Sequence, residues 1–324
     1  MPLAPSGSQP DCARPCPEPA EPIHGTAPTA TAGWLLIEHS GPWPAHGYPP
    51  DLPGSLVATA ERLLRLGVRP QLIRRTDRAG RRGDGVRAVF VAGGGAGGHW
   101  VERVDPRLLT ARQARRLLGP ATFRAPRTPG LGRPQGPLLL VCTHGSREVC
   151  CARYGRPVAL ALAARFGPAV WETTHVGGDR FAANLVLLPQ GAYFGRLDPG
   201  HAVRVAERAL AGELDLDAYR GTAGRSEASQ SAEWHLRRAL DEPRIDAIRA
   251  LRPDGRDGEA DGDGAASAHR FARGHERYSV IVEPYTHPDP RLLSCSADAV
   301  QAPRAHRLVS LESLESPSGV RSGG

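Results

Sequence analysis

Two cysteines and a histidine have the residue types and spacing of metal ligands. Cys142 directly follows the apolar run at 137–141, and Cys151 lies nine positions later. His175 follows a second apolar stretch and precedes two glycines. Thiolate and imidazole groups are the donors that zinc and the iron of iron–sulfur clusters accept in proteins. The pattern therefore predicts a metal centre that contains Cys142, Cys151 and His175.

Neighbouring strands must bring these ligands together. The continuous apolar run at 137–141 is typical of a strand buried on both faces. Cys150 and Cys151 fall where the following helix should begin, and 169–173 reads as the next strand. Loops after adjacent parallel strands lie at the same sheet edge, so we expect His175 to meet the cysteine loop.

The wider pattern indicates a thioredoxin-like order, β-α-β-β-α. The predicted elements are a strand at 137–141, a helix at 157–166, strands at 169–173 and 183–188, and a helix at 201–210. The N-terminal half has a similar order, with strands at 34–38 and 70–75 around a helix, although no sequence repeat relates the two halves. These patterns predict the α/β class.

The combination of motifs resembles the sucrase/ferredoxin-like family, a branch of thioredoxin-like [2Fe–2S] ferredoxins. The matching pieces are Cys142-x8-Cys151, Gly155-Arg156-Pro157, His175-x-Gly-Gly, Gly25-Thr26-Ala27 and Leu188-Pro189. The likeness extends over about residues 25–220. It implies a [2Fe–2S] cofactor that is held by two cysteines and two histidines, and a role in electron transfer.

The sequence departs from the family pattern at one ligand. The resemblance implies a second histidine four positions after His175, but this position is Asp179. Cys142 and Cys151 would then bind one iron, and His175 with a fourth group the other, for which Asp179 is the residue at the expected position. Carboxylate is a harder donor than imidazole and an uncommon cluster ligand. Three other residues remain alternatives for the fourth ligand: Cys150, His144 and Cys295. A branch that binds no cluster is a further alternative.

The predicted organisation is a thioredoxin-like ferredoxin domain with an N-terminal α/β region and a C-terminal extension. The ranges are 1–30 disordered, 31–118 for the N-terminal region, 119–136 a Gly/Pro-rich linker, 137–220 for the ferredoxin domain, and 221–324 for the extension. Within the extension we expect a helix at 231–251, a flexible linker at 254–268, one strand at 278–282, and a loose tail.

An electron carrier with an unknown redox partner protein is the predicted function, rather than a stand-alone enzyme, and no catalytic residue is assigned. One alternative is a thiol-dependent redox protein that uses Cys150 or Cys151 at a helix N-terminus. The other is a structural zinc module on Cys142, Cys151, His175 and Asp179. The identity of the metal distinguishes the three functions.

Composition excludes several other classes. The formal net charge is +7 and every Lys/Arg position is arginine. The arginines form no concentrated basic stripe in the sequence, so we do not expect specific nucleic-acid binding. The sequence contains no run of 18 apolar residues, so we expect no membrane span. The polar N-terminus predicts a cytoplasmic protein. The letters Gly93-x-Gly95-x-x-Gly98 match a dinucleotide fingerprint, but a strand rather than a helix follows, which favours a hairpin loop.

Overall fold

The computed structural model describes residues 21–77, 85–95, 98–109, 111–251 and 266–314. The strands in the first half are β1 (Gly33–Glu38), β2 (Val68–Arg74), β3 (Val89–Gly95), β4 (Gly98–Val104) and β5 (Arg133–Pro134). Those that follow are β6 (Leu138–Cys142), β7 (Val170–Thr173), β8 (Leu185–Leu188), β9 (Ala192–Phe194), β10 (Tyr219–Thr222), β11 (Ile248–Ala250), β12 (Ser267–Arg273), β13 (Glu276–Thr286) and β14 (Arg304–Leu314). The α-helices are α1 (Gly54–Leu64), α2 (Ala111–Leu117), α3 (Pro120–Phe123), α4 (Val149–Phe166), α5 (Pro199–Leu210) and α6 (Glu227–Leu240).

A mixed ten-stranded sheet joins the N-terminal region to the predicted ferredoxin domain. Its strand order is β10-β9-β8-β6-β7-β2-β1-β3-β4-β5. The two regions meet where β2 pairs antiparallel with β7, with Ile73 opposite Thr173 and Arg74 opposite Glu172. The α/β class is confirmed, and the two regions form one continuous sheet.

Both halves of this sheet repeat one topology. In the first half β1 runs parallel to β2 and antiparallel to β3, and β3 pairs antiparallel with β4. In the second half β6, β7, β8 and β9 pair in the same way. Each half therefore has the same spatial order of strands: the second strand along the chain lies beside the first, followed by the third and the fourth. The similar order of predicted elements in the two halves reflects this repeat, although their sequences do not show it.

Alternation along β6 places Cys142 on the face opposite the core that β6 shares with the middle of α4 and with α5. Leu139 and Val141 pack into a core cluster with residues of α4 and α5. Leu138, Leu140 and Cys142 belong to the cluster on the other face, which also contains Cys150 and Cys151. Side chains alternate between the faces of a strand, so this register fixes the direction of the first ligand.

Two predicted boundaries differ from the structure. Within 21–30, part of the segment expected to be disordered, Ile23 and Ala27 are buried. The Ala27 N–H donates to Gln230 Oε1 of α6 at 3.1 Å, so a partner distant in sequence orders this segment. Residues 1–20 of that prediction, with Cys12 and Cys16, lie outside the described residues.

The predicted linker at 119–136 also belongs to the folded core. It contains α3 and β5, and Phe123 is fully buried. The buried carboxylate of Glu102 accepts hydrogen bonds from the backbone N–H groups of Gly130, Leu131 and Gly132. Glycine and proline therefore shape an ordered loop here, because a buried charge satisfies its backbone.

The C-terminal extension forms a second sheet, with strand order β11-β12-β13-β14 and α6 packed on it. The predicted helix at 231–251 ends early, because Asp241 adopts a left-handed conformation (φ 49°) and β11 pairs with β12 beyond it. The single strand at 278–282 is the middle of β13. Residues 252–265 and 315–324, which include most of the predicted linker and the tail, lie outside the described residues. Among those described, no helix combines the length and apolar character needed to cross a membrane.

His24 links the N-terminal segment to α6 in its neutral form. Its ring stacks on Trp234 with centroids 4.2 Å apart, and Nδ1 lies 3.2 Å from Ser231 Oγ. Burial lowers the pKa of His24 from 6.5 to about 3, with smaller contributions from His235, His306 and Arg238. The folded state thus binds this proton more weakly than the unfolded state does.

Acidification should therefore destabilise the fold through His24. As pH falls from about 6.5 towards 3, this group should lower the free energy of unfolding by up to about 1.4 kcal/mol per pH unit. Urea unfolding at pH 7 and pH 5 should show a smaller pH dependence in His24→Gln than in wild type. The exposed His46 supplies the control variant His46→Gln. Equal pH dependence in wild type and His24→Gln would contradict the prediction.

Candidate metal centre

Three of the predicted ligands converge at one edge of the large sheet. One donor atom from each of Cys142, Cys151 and His175 lies within 4.8 Å of the other two. The Cys151 sulfur is 3.7 Å from Nδ1 of His175. Both cysteines are buried, whereas His175 is half-buried. Of the three donors, His175 is the one that reaches towards the surface.

Close packing of α4 against β6 brings the two cysteines together. Cys142 is the last residue of β6, and Cys151 lies in the first turn of α4. Gly155, one turn further along α4, faces the backbone of Cys142, where a Cβ would overlap the carbonyl oxygen. The absence of a side chain at Gly155 therefore sets the separation of helix and strand.

The two sulfurs interact with each other. A hydrogen bond with Cys151 is the largest influence on the pKa of Cys142 and, helped by His175, holds it well below its usual range. The same hydrogen bond, with Cys150 and burial, raises the pKa of Cys151. The ionisation of the two thiols is therefore coupled, and a bound metal would displace their protons when both cysteines become ligands.

The N-terminal half of the sheet positions His175. Its carbonyl oxygen accepts hydrogen bonds from Gln71 Nε2 at 3.0 Å and Arg69 Nη2 at 3.2 Å, both on β2. Its N–H donates to Nδ1 of His144 at 3.1 Å, and Nε2 of His144 lies 2.9 Å from the Pro44 carbonyl. Both ring nitrogens of His144 are engaged, so this alternative ligand orients the backbone of His175 instead.

A second contact ties the cysteine loop to the N-terminal half. The Thr143 hydroxyl, next to Cys142, donates to Glu172 Oε2 at 2.9 Å. The same oxygen binds Arg74 of β2 at 2.9 Å. This partly buried ion pair spans the β2–β7 junction. Neither Arg74 nor Gln71 is predictable from the sequence as part of the site, since no motif links β2 to either ligand segment.

Asp179 belongs to a second group of possible metal ligands. Its carboxylate lies with the sulfurs of Cys150 and Cys295, all within 4.8 Å of one another. Asp179 Oδ2 accepts the Cys295 N–H at 2.9 Å and is 3.9 Å from the Cys150 sulfur. The Cys150 thiol also donates to the Asp179 carbonyl at 3.5 Å. The structure thus separates the predicted fourth ligand, with two of its alternatives, from the first three donors.

The donor set fits a bound metal. Two buried sulfurs and one imidazole nitrogen face one another, which is the ligand chemistry of zinc and of iron–sulfur clusters. Such centres need a fourth donor. Asp179 and Cys150 belong to the second group, and Cys150 directly precedes Cys151 in the chain, so both are candidates for this donor.

Comparison with known families adds an independent observation. A family model described as sucrase/ferredoxin-like matches residues 25–221, more than half of the 324-residue chain. The chain belongs to the sucrase/ferredoxin-like family. Neither the curated proteins nor the solved structures that were compared with it gave a match. The resemblance inferred from the motifs is confirmed at the level of the family.

The sucrase/ferredoxin-like match extends across both halves of the large sheet, from before β1 into β10. It includes Cys142, Cys151, His175 and Asp179, whereas Cys295 lies beyond it. The N-terminal half is therefore part of the family domain, in agreement with its contacts to His175.

Proposed function

We propose that this sucrase/ferredoxin-like protein is an electron-transfer protein that holds a [2Fe–2S] cluster on Cys142, Cys151, His175 and Asp179. The observation that carries the proposal is the convergence of two buried sulfurs and an imidazole nitrogen at one sheet edge. Such a cluster supplies one-electron redox chemistry when bound. The family membership supports the same class of site.

The protein groups would set the properties of this centre. Imidazole in place of thiolate removes negative charge and favours a higher reduction potential, and a carboxylate at Asp179 would offset part of that effect. Asp179 Oδ2 already accepts the Cys295 N–H at 2.9 Å, a contact that a ligand role for this carboxylate would have to accommodate. Because His175 is more exposed than the two cysteines, a redox partner would approach the His175 side.

The burial of the cysteines argues against the thiol-enzyme alternative. Cys150 and Cys151 are 3% and 1% exposed, so a protein disulfide cannot reach either sulfur without opening the fold. The structural zinc alternative keeps support, because three donors within 4.8 Å also suit a single tetrahedral ion.

Metal analysis after anaerobic purification tests the proposal. Wild type should be brown, with about two irons and two sulfides per chain. Asp179→Ala should lose the cluster, whereas Asp179→His, which restores the family's ligand pattern, should retain it because imidazole is an established cluster donor. Circular dichroism of each variant separates loss of ligand from loss of fold.

Three results would contradict this assignment. Zinc without iron or sulfide in wild type would establish the structural zinc module. A colourless, metal-free wild type that stays so after cluster reconstitution would favour thiol chemistry. If Asp179→Ala kept a full cluster, the fourth ligand would be another residue, and Cys150 would be tested next.

A further inference from the structure

We propose that Arg220 is a positioning residue for the centre: it clamps the site loop, residues 175–179, and places a buried positive charge beside it. The inference rests on the proposed centre only in that the three donors hold a metal, whether iron or zinc. Arg220 lies on β10, and no sequence motif connects it to the ligands.

The clamp acts on two consecutive carbonyl groups of the site loop. Arg220 Nη1 donates to the Gly177 carbonyl at 2.9 Å and to Asn184 Oδ1 at 2.8 Å. Asn184 Nδ2 in turn donates to the Gly178 carbonyl at 2.9 Å. The backbone between His175 and Asp179 is therefore fixed by two side chains that also bind each other.

Glycine at position 178 makes this approach possible. Gly178 has a φ of 69°, which disfavours residues with a side chain. A Cβ built on Gly178 would also overlap the guanidinium of Arg220. The close fit of glycine to guanidinium accounts for one of the two glycines of the His175-x-Gly-Gly motif.

Thr26 holds Arg220 from the other side. Arg220 Nε donates to Thr26 Oγ1 at 3.0 Å, and Nη2 donates to the Thr26 carbonyl at 2.5 Å. The Thr26 N–H donates back to the Arg220 carbonyl at 3.1 Å. The Gly25-Thr26-Ala27 motif thus acquires a role: it anchors the arginine that orders the site loop.

The charge of Arg220 has an unusual environment. The side chain is 1% exposed, yet among the described residues no carboxylate forms a salt bridge with it. Burial lowers the pKa of Arg220 to about 10, partly offset by Tyr193 and Asp179, so it remains charged at neutral pH. A buried charge needs compensation. Carbonyl dipoles of the site loop supply part of it, and anionic ligands at the centre would supply more.

Arg237 provides a matched control. It is also 1% exposed, but it pairs with Glu233 within α6 at 2.8 Å and contacts none of the ligand residues. Replacing Arg237 by lysine therefore tests the general cost of altering a buried arginine. Arg220→Lys keeps the charge and loses the fork of donors, and Arg220→Gln loses both. Asn184→Ala is the milder variant that removes only the contact to Gly178.

The experiment measures release of the bound metal to a chelator, and hydrogen exchange of residues 175–179 in the metal-free protein. Arg220→Lys should release metal about 10–100-fold faster than wild type, as expected when a ligand's support is lost. Arg220→Gln should be faster still, and Asn184→Ala intermediate between wild type and Arg220→Lys. Exchange of residues 175–179 should rise in the same order, whereas Arg237→Lys should match wild type in both measurements.

Several outcomes would overturn the proposal. If Arg220→Lys and Asn184→Ala released metal and exchanged hydrogen at wild-type rates, the clamp would be refuted. If Arg237→Lys had effects as large as those of Arg220→Lys, the effects would be a general consequence of altering a buried arginine. Equal rates of metal release by Arg220→Gln and Arg220→Lys would refute the role of the charge.

The nature of the metal distinguishes failure of this proposal from failure of the proposed function. Zinc in place of iron in wild type would refute the electron-transfer function alone, since metal release and hydrogen exchange still test Arg220. A wild type that binds neither iron nor zinc would remove the premise that the three donors hold a metal, and would overturn the role of Arg220 as well as the electron-transfer function.

Discussion

Replacing Cys142 by serine should abolish metal binding, whereas replacing Cys150 by serine should leave most of it intact. Cys142 belongs to the group with Cys151 and His175, and its sulfur is the one whose pKa is lowered. Cys150 lies in the neighbouring group with Asp179. Serine offers a hydroxyl that stays protonated at neutral pH, so it cannot replace a thiolate ligand.

The expected loss in Cys142→Ser exceeds the 10–100-fold drop in affinity that is typical when an outer-shell group is removed, since about a quarter of the ligand set is lost. Metal content after purification and titration of the metal-free protein with zinc or iron would measure it. Cys150→Ser is a matched control, because it makes the same cysteine-to-serine change at the residue next to Cys151. Cys142→Ser that binds metal as tightly as wild type would exclude Cys142 from the centre.

These two variants, together with Cys151→Ser, separate the rival functions. A thiol-dependent redox protein would lose its activity towards disulfides in Cys150→Ser or Cys151→Ser, and the presence of metal would be irrelevant to it. A metal centre requires Cys142 and Cys151 together, whatever the ion. The pattern of sensitivity across Cys142, Cys150 and Cys151 therefore distinguishes these chemistries without knowledge of the partner.

The convergence of Cys142, Cys151 and His175 could be predicted because it follows from local rules. The apolar run at 137–141 had to be a buried strand, and the ends of adjacent parallel strands share an edge. The observed parallel pairing of β6 with β7, Cys142 opposite Thr173, realises this expectation. Cys151 lies in the first turn of α4, as expected for residues that open the helix, although the helical segment predicted at 157–166 covers only its second half.

The supporting groups could not be predicted because their contacts join distant parts of the chain. Gln71 and His175 are 104 residues apart, and Thr26 and Arg220 are 194 apart. Hydrophobic periodicity describes which side of an element is buried, but it does not determine which two elements pair. The antiparallel pairing of β2 with β7 that brings Gln71 to the site therefore had no signal in either half alone.

Asp179 illustrates a different limit. The family resemblance predicts Asp179 as a fourth ligand, because it stands four positions after His175, but its place depends on the segment around Cys295, more than 100 residues away. Ser294 and Ser296 of that segment bind Glu148, the residue before α4. The C-terminal extension thus covers the site from outside the family match, and it decides how free the Asp179 carboxylate is to turn towards the other donors.

Replacing Gly155 by alanine should destabilise the fold and loosen the centre together. The added Cβ would overlap the Cys142 carbonyl oxygen, which is backbone of a central strand and cannot move aside. Overpacking of this kind costs typically about 1–3 kcal/mol, and contact with backbone places Gly155 at or above the upper end. Since α4 carries Cys151, any shift that relieves the overlap also separates the two sulfurs.

Gly54 offers the matched control for this substitution. It lies in the first turn of α1, exposed, with no atom within 4 Å of an added Cβ, so Gly54→Ala should change stability by no more than about 1 kcal/mol, in the stabilising direction. Urea unfolding gives the free energies, and metal content gives the effect on the centre. Unfolding of Gly155→Ala at the wild-type midpoint, with full metal content, would show that α4 can move away from β6 without disturbing Cys142 and Cys151. The close packing of helix and strand would then not set the geometry of the centre.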